Sequence, residues 1–290
     1  MNPAYAGMRR AFCLSAIYRN QWNGFEGAPN TGVFSADLAL PDKGITGGGV
    51  GLNVMYDKLG FENNVSFRGN YSMHIVLDND RRLGIGVELG GYSKRVGPSG
   101  NQQWIATSNW QNDATIPPLL KKTVLDMGLG LWYQDRKMWF GISSTHLNAE
   151  KLNYGTTPTN QPIFYQVAHH YFITGGAKFY ETPDWAFKAS FLVKTDATIT
   201  SLEMNATASY RNRFWAGASY RLNDAICPMA GFMIPTSSDN DDLGLKVGFA
   251  YDYTTSNLKN YSNGTFEVFL NYCIPMDWIY GVHFDVRNFK

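Results

Sequence analysis

Three groups of residues have types and spacings that could support chemistry. His169 and His170 are adjacent, so on a strand they would point to opposite faces and could not share a metal ion. Ser144 and His146 would share one strand face, as the nucleophile and base of a membrane lipase require, but no third group is evident. The aspartates of residues 239–242 lack the glycine and distal glutamate of an EF-hand calcium loop. The sequence therefore predicts a protein that is not an enzyme and uses no metal ion or cofactor.

The elements that must position these residues are β-strands along the whole chain. From Trp185 to Lys194, apolar residues at odd positions alternate with polar residues such as Lys188 and Ser190. This two-residue period indicates a strand whose two faces differ. We predict about fourteen strands, at residues 11–20, 31–40, 45–56, 63–78, 81–94, 122–134, 136–147, 168–181, 184–197, 199–211, 213–222, 225–234, 242–254 and 262–274.

These strands are long enough to cross a bilayer. Many of them run ten or more residues, whereas strands in soluble proteins average about five or six. A tilted transmembrane strand needs about 9–11 residues, and an even number of strands is typical of bacterial barrels made from one chain. We therefore predict an all-β fold, a closed antiparallel transmembrane β-barrel that forms a single outer-membrane domain over residues 1–290.

The two faces of the strands separate apolar residues from charged ones. Rows such as Val65 to Leu77 and Leu83 to Leu89 would contact lipid. The opposite face would line the lumen, and we expect its charges to neutralise each other across neighbouring strands. These inward residues are Arg19, Asp37, Arg68, His74, Arg82, Glu88, Asp126, Lys188, Glu203, Arg211, Arg221, Lys246, Asp252 and Glu267. Aromatic residues near strand ends resemble an interfacial girdle, namely Tyr18, Trp22, Tyr56, Tyr133, Trp185, Tyr210, Tyr220 and Tyr253.

Composition and charge exclude other classes of protein. Charged residues make up 17% of the chain, below the usual ~25% of soluble domains. The sequence has no run of about 18 apolar residues, which excludes a transmembrane helix. The net charge is +1 and no block of basic residues occurs, so nucleic acid is not an expected partner.

Connection lengths predict the orientation of the barrel. Over the first eight strands long and short connections alternate, and outer-membrane barrels have short periplasmic turns and longer outer loops. This order makes both termini periplasmic, residues 1–10 a periplasmic segment and residues 95–121 a long outer loop. Trp104 and Trp110 make that loop a candidate binding surface. Residues 1–10 contain no signal-peptide apolar region, so we expect a processed or trimmed form of an exported protein.

Cysteines and glycines occupy informative places in the predicted strands. Cys13 and Cys273 would face the lumen on the first and last strands, which meet when a barrel closes. A disulfide across this seam is one alternative, and two small buried thiols are the expected state. With Cys227 the count is odd and sparse, which is unlike a disulfide scaffold. Glycines at 47–51 and 84–86 lie inside strands, where they permit bends, bulges and close packing.

Several segments together resemble one protein family. They are Asn2-Pro3-Ala4-Tyr5-Ala6-Gly7, Tyr18-Arg19-Asn20-Gln21-Trp22, Gly27-Ala28-Pro29-Asn30-Thr31, Phe249-Ala250-Tyr251-Asp252-Tyr253 and Gly264-Thr265-Phe266-Glu267-Val268. In these segments the chain is similar to the PorP/SprF family of the type IX secretion system of Bacteroidetes. Two departures are the absence of a segment before Asn2 and the presence of Phe266 where the family usually has histidine.

The resemblance implies a non-catalytic outer-membrane barrel that serves type IX secretion or gliding motility. The partners that it implies are the lipid bilayer, the translocon, a periplasmic ring of lipoproteins and a large secreted adhesin. We hypothesise that the barrel scaffolds or anchors the ring, the adhesin or both. The alternatives are an outer-membrane transport barrel for small solutes or lipids, and a soluble β-sandwich adhesin.

No residue-level site can be carried over from the family. The candidate contact or signature residues are Asn2, Pro3, Ala4, Tyr5, Gly7, Arg19, Gln21, Trp22, Pro29, Trp104, Trp110, Tyr251 and Asp252. We expect Asn2 to Gly7 to pack at the barrel mouth as a rigid cap, with contact to a periplasmic partner as the alternative.

Overall fold

The structure, a computed structural model, describes residues 2–24, 27–43, 45–78, 81–97, 120–156, 162–236, 243–260 and 262–276. Fourteen of its sixteen strands form one closed antiparallel barrel, in which the first strand pairs with the last, and the other two form a separate hairpin. The barrel strands are β1 (Ala11–Asn20), β2 (Asn30–Lys43), β3 (Thr46–Leu59), β4 (Glu62–Val76), β5 (Arg82–Val96), β6 (Leu120–Gln134), β7 (Met138–Thr145), β10 (His170–Glu181), β11 (Trp185–Thr195), β12 (Thr200–Tyr210), β13 (Phe214–Arg221), β14 (Ala225–Pro235), β15 (Gly244–Thr254) and β16 (Thr265–Pro275). The hairpin strands are β8 (Lys151–Thr156) and β9 (Pro162–Gln166).

The closed barrel with fourteen strands confirms the predicted fold class. Two connections differ from the prediction. β3 and β4 extend further than predicted, because their backbones stay paired as far as Leu59 and Glu62. The predicted loop 148–167 contains the β8–β9 hairpin. Among the described residues, no helix has the length and apolar character needed to span a bilayer.

The outward face of the barrel is apolar, as the alternation predicts. Phe67 is 55% exposed and its neighbour on the opposite face, Ser66, is 3% exposed. Large apolar side chains cover the outside on several strands, among them Val65, Tyr71, Met73, Ile85, Val87, Leu89, Leu125, Leu129, Met204, Phe249 and Tyr253. Trp185 and Tyr210 pair on neighbouring strand ends with ring centroids 4.9 Å apart, which fits an interfacial girdle.

The two rims of the barrel carry different connections. Ala11 and Pro275 are paired at one rim, here called the terminal rim. Short connections such as residues 135–137 and 182–184 lie at this rim. Because strands alternate in direction, the longer connections 21–29, 97–119 and 146–169 all join strand ends at the opposite rim, here called the loop rim.

The barrel seam carries a disulfide, so the expected pair of free thiols is wrong. Cys13 and Cys273 are directly opposite each other in the β1–β16 register, with Cα atoms 4.1 Å apart, and their sulfurs are bonded. The register of the closing strands therefore decides the outcome, because directly opposite inward cysteines are within bonding reach. Cys227 is free and buried.

The chain itself occupies one side of the lumen. Residues 2–10, here called the N-terminal plug, contact β4, β5 and β6 near the terminal rim. Near the loop rim the β8–β9 hairpin contributes Leu152, which is fully buried and packs with Tyr92 and Val167. We call the wall from β2 to β7 the filled half. The wall from β10 to β16, with β1, is called the cavity half because it encloses a cavity described below.

Candidate functional site

The predicted site residues gather at the two opposite rims of the barrel. Asn2 to Gly7 lie in the plug at the terminal rim, and Arg19, Gln21, Trp22, Pro29, Tyr251 and Asp252 lie at the loop rim. Trp104 and Trp110, together with most of the 95–121 loop and the aspartates of 239–242, lie outside the described residues. We describe the plug first, then the charged centre of the filled half, then the loop rim.

The plug begins with a capped turn that reaches across to β6 and β7. The side chain of Asn2 accepts a hydrogen bond from the Ala4 N–H at 3.0 Å and caps a 3₁₀ turn formed by Pro3–Tyr5. Asparagine at the cap and proline at the first position are favourable there, because they satisfy or omit the unpaired N–H groups of a helical start. The Asn2 amide donates to the carbonyls of Leu131 (2.8 Å) and Ile142 (3.1 Å). The Asn-Pro dipeptide thus both starts the turn and ties it to the wall.

Glycines of the wall make room for the plug. A Cβ added at Gly86 would overlap the backbone nitrogen of Ala4, and one added at Gly49 would overlap the backbone of Ala6. At Gly130 an added Cβ would overlap the side chain of Asn2. The close packing expected of the strand glycines is therefore present, and its partner is the chain's own N-terminal segment.

Polar contacts hold the rest of the plug. Gly7 donates its backbone N–H to Asp37 at 3.1 Å, and the Ser72 hydroxyl donates to the Ala6 carbonyl at 2.6 Å. Arg9 donates to Asn271 at 2.9 Å and so ties the plug to the last strand beside the disulfide. The expected cap at the mouth lies deeper than predicted, since Ala4 is level with Gly86 whereas β5 begins at Arg82. The wall glycines are the physical reason, because they leave space inside the lumen.

A charged cluster forms the centre of the filled half. Arg68 contacts Asp126 at 2.6 Å and Glu88 at 3.8 Å, and both carboxylates are 1% exposed. His146 lies 3.0 Å from Asp126 through its Nδ1 atom. The cluster confirms the expected neutralisation of lumen charges across strands, and burial makes each of these pairings necessary.

The face predicted to be shared by Ser144 and His146 is wrong. Ser144 is in register with Leu129 and Tyr171, whose side chains are on the outer face. β7 ends at Thr145, and His146 takes a left-handed backbone conformation (φ 60°) that turns its ring inward to Asp126. The two residues therefore lie on opposite sides of the wall and form no nucleophile–base pair.

The adjacent histidines begin β10 at the loop rim. His170 starts the strand, and its ring centroid is 5.4 Å from that of His146. His169 instead lies near Tyr171, with ring centroids 6.3 Å apart. The two histidines contact different neighbours, as expected of adjacent strand positions.

A second charged network lies below the loop rim in the cavity half. Arg19 contacts Asp252 at 2.7 Å and Glu267 at 3.1 Å. Arg221 contacts the same Asp252 at 3.2 Å and also Glu203 at 3.2 Å. Asp252 is 3% exposed, whereas the side chains of Glu267 and Glu203 are 28% and 25% exposed. Asp252 is therefore the buried link between two arginines, and the two glutamates form the open edge of the network.

This network borders a cavity of about 180 Å³. Trp215, Met229 and Phe269 supply apolar lining on the inner wall. Trp215 packs against Gly248, where an added Cβ would overlap the indole ring. The Trp215 indole nitrogen is buried and has no hydrogen-bond partner among the described residues, which is unusual for a buried donor.

The other predicted residues at the loop rim form hydrogen bonds that join the first loop and the last hairpin. Gln21 donates its backbone N–H to the Pro29 carbonyl at 2.9 Å, which closes the first loop. Trp22 donates its backbone N–H to the Thr265 hydroxyl at 3.1 Å. The Tyr251 hydroxyl donates to the Asn263 carbonyl at 3.1 Å. Segments that resemble the family at both ends of the sequence thus meet above the cavity.

The sequence predicted that the charges face the lumen. It did not predict which residues form ion pairs or that these pairs border a cavity. Glu203 and Arg221 are directly opposite in the β12–β13 register, as are Arg19 and Glu267 in the β1–β16 register. Their opposite charges on neighbouring strands were the available signal. Trp215 offered no such signal, because its position beside Gly248 and Met229 depends on the register of β13, β14 and β15.

Sequence comparison identifies the family of the chain. The sequence profile described as "Type IX secretion system membrane protein PorP/SprF" matches residues 1–272. The chain belongs to the PorP/SprF family. No curated protein matches this PorP/SprF protein.

Solved outer-membrane barrels share its fold. The "CymD monoaromatic hydrocarbon channel" has a TM-score of 0.55 and 12% identity, over 91% of this chain and 87% of that chain. The Pseudomonas putida toluene transporter TodX has a TM-score of 0.53 and 11% identity, over 94% of this chain and 92% of that chain. A Pseudomonas aeruginosa FadL homologue has a TM-score of 0.53 and 10% identity, over 93% and 92%. Together with the family, these barrels identify the PorP/SprF chain as an outer-membrane protein of type IX secretion.

Proposed function

We propose that this PorP/SprF protein is a non-catalytic accessory barrel that anchors the periplasmic lipoprotein ring, a secreted adhesin or both at the outer membrane. The observation that carries this proposal is the filled half, where the plug and the β8–β9 hairpin occupy the lumen near the two rims. A conduit for a polypeptide needs an open lumen, which barrels of about 16–18 strands provide. A smaller barrel packed with its own chain is better suited to a rigid platform.

The orientation in this proposal places both termini in the periplasm. The connections at the terminal rim include the short turns 135–137 and 182–184, which suit a periplasmic rim. The loop rim then faces outward, and its 95–121 loop, with Trp104 and Trp110, is the proposed contact for an adhesin. The plug is not proposed as a partner contact, since Pro3, Ala4 and Ala6 are buried against the wall.

A transport barrel for small solutes is the second candidate function. The cavity half favours it, because the cavity combines charged and apolar lining. The names of the structural neighbours, a monoaromatic hydrocarbon channel and a toluene transporter, describe activities of this kind in those proteins. A fold shared at such low identity does not transfer their substrates.

Affinity purification from native membranes tests the anchoring role. A C-terminally tagged chain, extracted in mild detergent, should recover lipoproteins of the secretion ring or one large adhesin, identified by mass spectrometry. A variant lacking residues 98–119 should lose the adhesin, whereas a matched variant lacking residues 237–242, between β14 and β15, should retain it. Recovery of the barrel alone at good yield, or equal behaviour of the two deletions, would count against the proposal.

Conductance in a planar bilayer separates the two candidate functions. The intact barrel should be silent if it serves as an anchor, because the plug and the hairpin occupy its lumen. A variant lacking residues 2–9 should conduct and so provides the positive control for insertion. Steady single-channel currents from the intact barrel would favour the transport function.

A further inference from the structure

The cavity below the loop rim has charged groups on one side and apolar side chains on the other, and the anchoring role does not use it. Its lining includes two guanidinium groups, from Arg19 and Arg221, and three carboxylates, from Asp252, Glu203 and Glu267. Lys194, whose charge interacts with those of Glu203 and Glu267, adds a third cation, so the excess of one negative charge at this edge comes from Asp224. Asp224 contacts Arg221 at 2.9 Å and adds a further carboxylate on the same side.

The two glutamates retain capacity to accept hydrogen bonds. The contacts of Glu203 and Glu267 with arginine involve one oxygen of each, Oε2. An ionised carboxylate can accept on both oxygens, and both side chains are partly exposed. These carboxylates therefore suit an ammonium group better than a second anion.

The apolar side of the cavity carries a positive charge and a hydrogen-bond donor. Lys246 places its ammonium group 4.7 Å from the centroid of the Trp215 ring. The unpaired indole N–H of Trp215 is a hydrogen-bond donor without an acceptor. A buried donor normally has a partner, so an acceptor group on a bound molecule would satisfy it.

We infer that this cavity binds a small amino-acid zwitterion with an apolar side chain. The ammonium group would contact Glu203 and Glu267, the carboxylate would accept from Trp215, and the side chain would contact Met229 and Phe269. The cavity volume of about 180 Å³ is below the ~300–1,000 Å³ of sites for drug-sized ligands, which suits a single amino acid. This inference does not depend on the proposed anchoring function.

Calorimetric titration of the intact detergent-solubilised chain tests the inference, with L-phenylalanine as the probe. Two analogues each lack one charge: 2-phenylethylammonium has no carboxylate, and 3-phenylpropanoate has no ammonium group. We expect saturable binding of L-phenylalanine and at least a fivefold weaker affinity for either analogue. Absence of saturable binding overturns the inference, and equal binding of either analogue overturns the assignment of a zwitterion.

Two conservative variants localise the site. Glu267→Gln removes one carboxylate charge, and Trp215→Phe removes the indole N–H while it keeps an aromatic ring. Each should weaken L-phenylalanine binding at least fivefold, while heat-modifiable gel mobility shows that the barrel remains folded. Glu181→Gln is the matched control, because Glu181 is 52% exposed and pairs with Lys178 at the terminal rim. Unchanged affinity in both cavity variants, or the same loss in the control, overturns the placement of the site.

Discussion

The filled half and the cavity half share one alternating pattern but use their inward positions differently. In the filled half, inward glycines such as Gly49, Gly86 and Gly130 leave space that the plug occupies. In the cavity half, large inward side chains such as Trp215 and Phe269 extend from the wall themselves. Inward glycines therefore make room for a second segment on one wall, whereas large side chains border the cavity on the other.

The charged networks of the two halves differ in hydration. Asp126 and Glu88 of the filled half are 1% exposed, whereas Glu267 of the cavity half is 28% exposed. A buried carboxylate depends on its partner far more than a hydrated one. The first network therefore fixes the packed interior, while the second is left partly accessible to ligands or water.

The largest expected effect is the difference in stability lost when an arginine is removed from each of the two charged networks. Arg68→Met removes the arginine that contacts two buried carboxylates and should lower the free energy of unfolding by about 3–5 kcal/mol. Arg19→Met should cost less, about 1–3 kcal/mol, because Arg221 still contacts Asp252. Urea unfolding followed by tryptophan fluorescence in detergent micelles measures both. Equal losses would remove the distinction between the halves.

The disulfide tests how firmly the seam between β1 and β16 is closed within the cavity half. Replacing both Cys13 and Cys273 by alanine should lower the free energy of unfolding by about 2–4 kcal/mol, because the crosslink joins distant parts of the unfolded chain. Cys227→Ala is the control, since this buried thiol is free, and about 1 kcal/mol is expected. The same unfolding assay applies, and a seam variant as stable as the control would contradict the role of the crosslink.

A pair of valine substitutions tests whether the plug needs the inward glycines of the filled half. Gly86→Val places a side chain where the plug backbone lies and should cost about 1–3 kcal/mol. Gly69→Val is the control, because a Cβ added there meets only the Leu89 carbonyl, at 3.9 Å. Gly86→Val should also raise bilayer conductance by displacing the plug. If Gly86→Val does not conduct and is as stable as the unchanged chain, the plug does not need a glycine at this position.

The tip of the plug gives a smaller effect confined to the filled half. Asn2→Ala removes the cap of the first turn and its bonds to Leu131 and Ile142. The expected cost is about 0.5–2 kcal/mol in the unfolding assay, with unchanged L-phenylalanine binding in the cavity half. A loss of that binding would show that the halves are coupled rather than independent.

The smallest effect concerns the turn between β11 and β12 at the loop rim. The backbone N–H groups of Ile199 and Thr198 donate to Asp196 and hold the pKa of its carboxyl below the usual range. A lowered folded-state pKa stabilises the protein above the unfolded-state pKa, and this contribution is lost as pH falls through the folded-state value. Asp196→Asn should therefore lower the thermal midpoint slightly at neutral pH. The difference from the unchanged chain should vanish in acid, and a constant difference across pH would contradict this cause.

Local alternation predicted the strands and the lipid-facing rows, and strand length together with the even number of strands predicted the closed barrel. The reason is physical: a two-residue period with one apolar and one charged face is stable only if the faces meet different environments. Residues such as Phe67 and Ser66 carry this information without reference to any distant residue. The family was likewise readable from short segments such as Asn2 to Gly7.

Contacts between distant residues were decided only by the tertiary structure. The seam disulfide needs Cys13 and Cys273 in register, and the cavity needs Arg19 of β1 beside Asp252 of β15, which only closure of the barrel brings together. The course of the plug needs wall glycines on several strands at one level. Strand faces are set by neighbours in sequence, whereas pairing, burial and cavities depend on the register around the whole barrel.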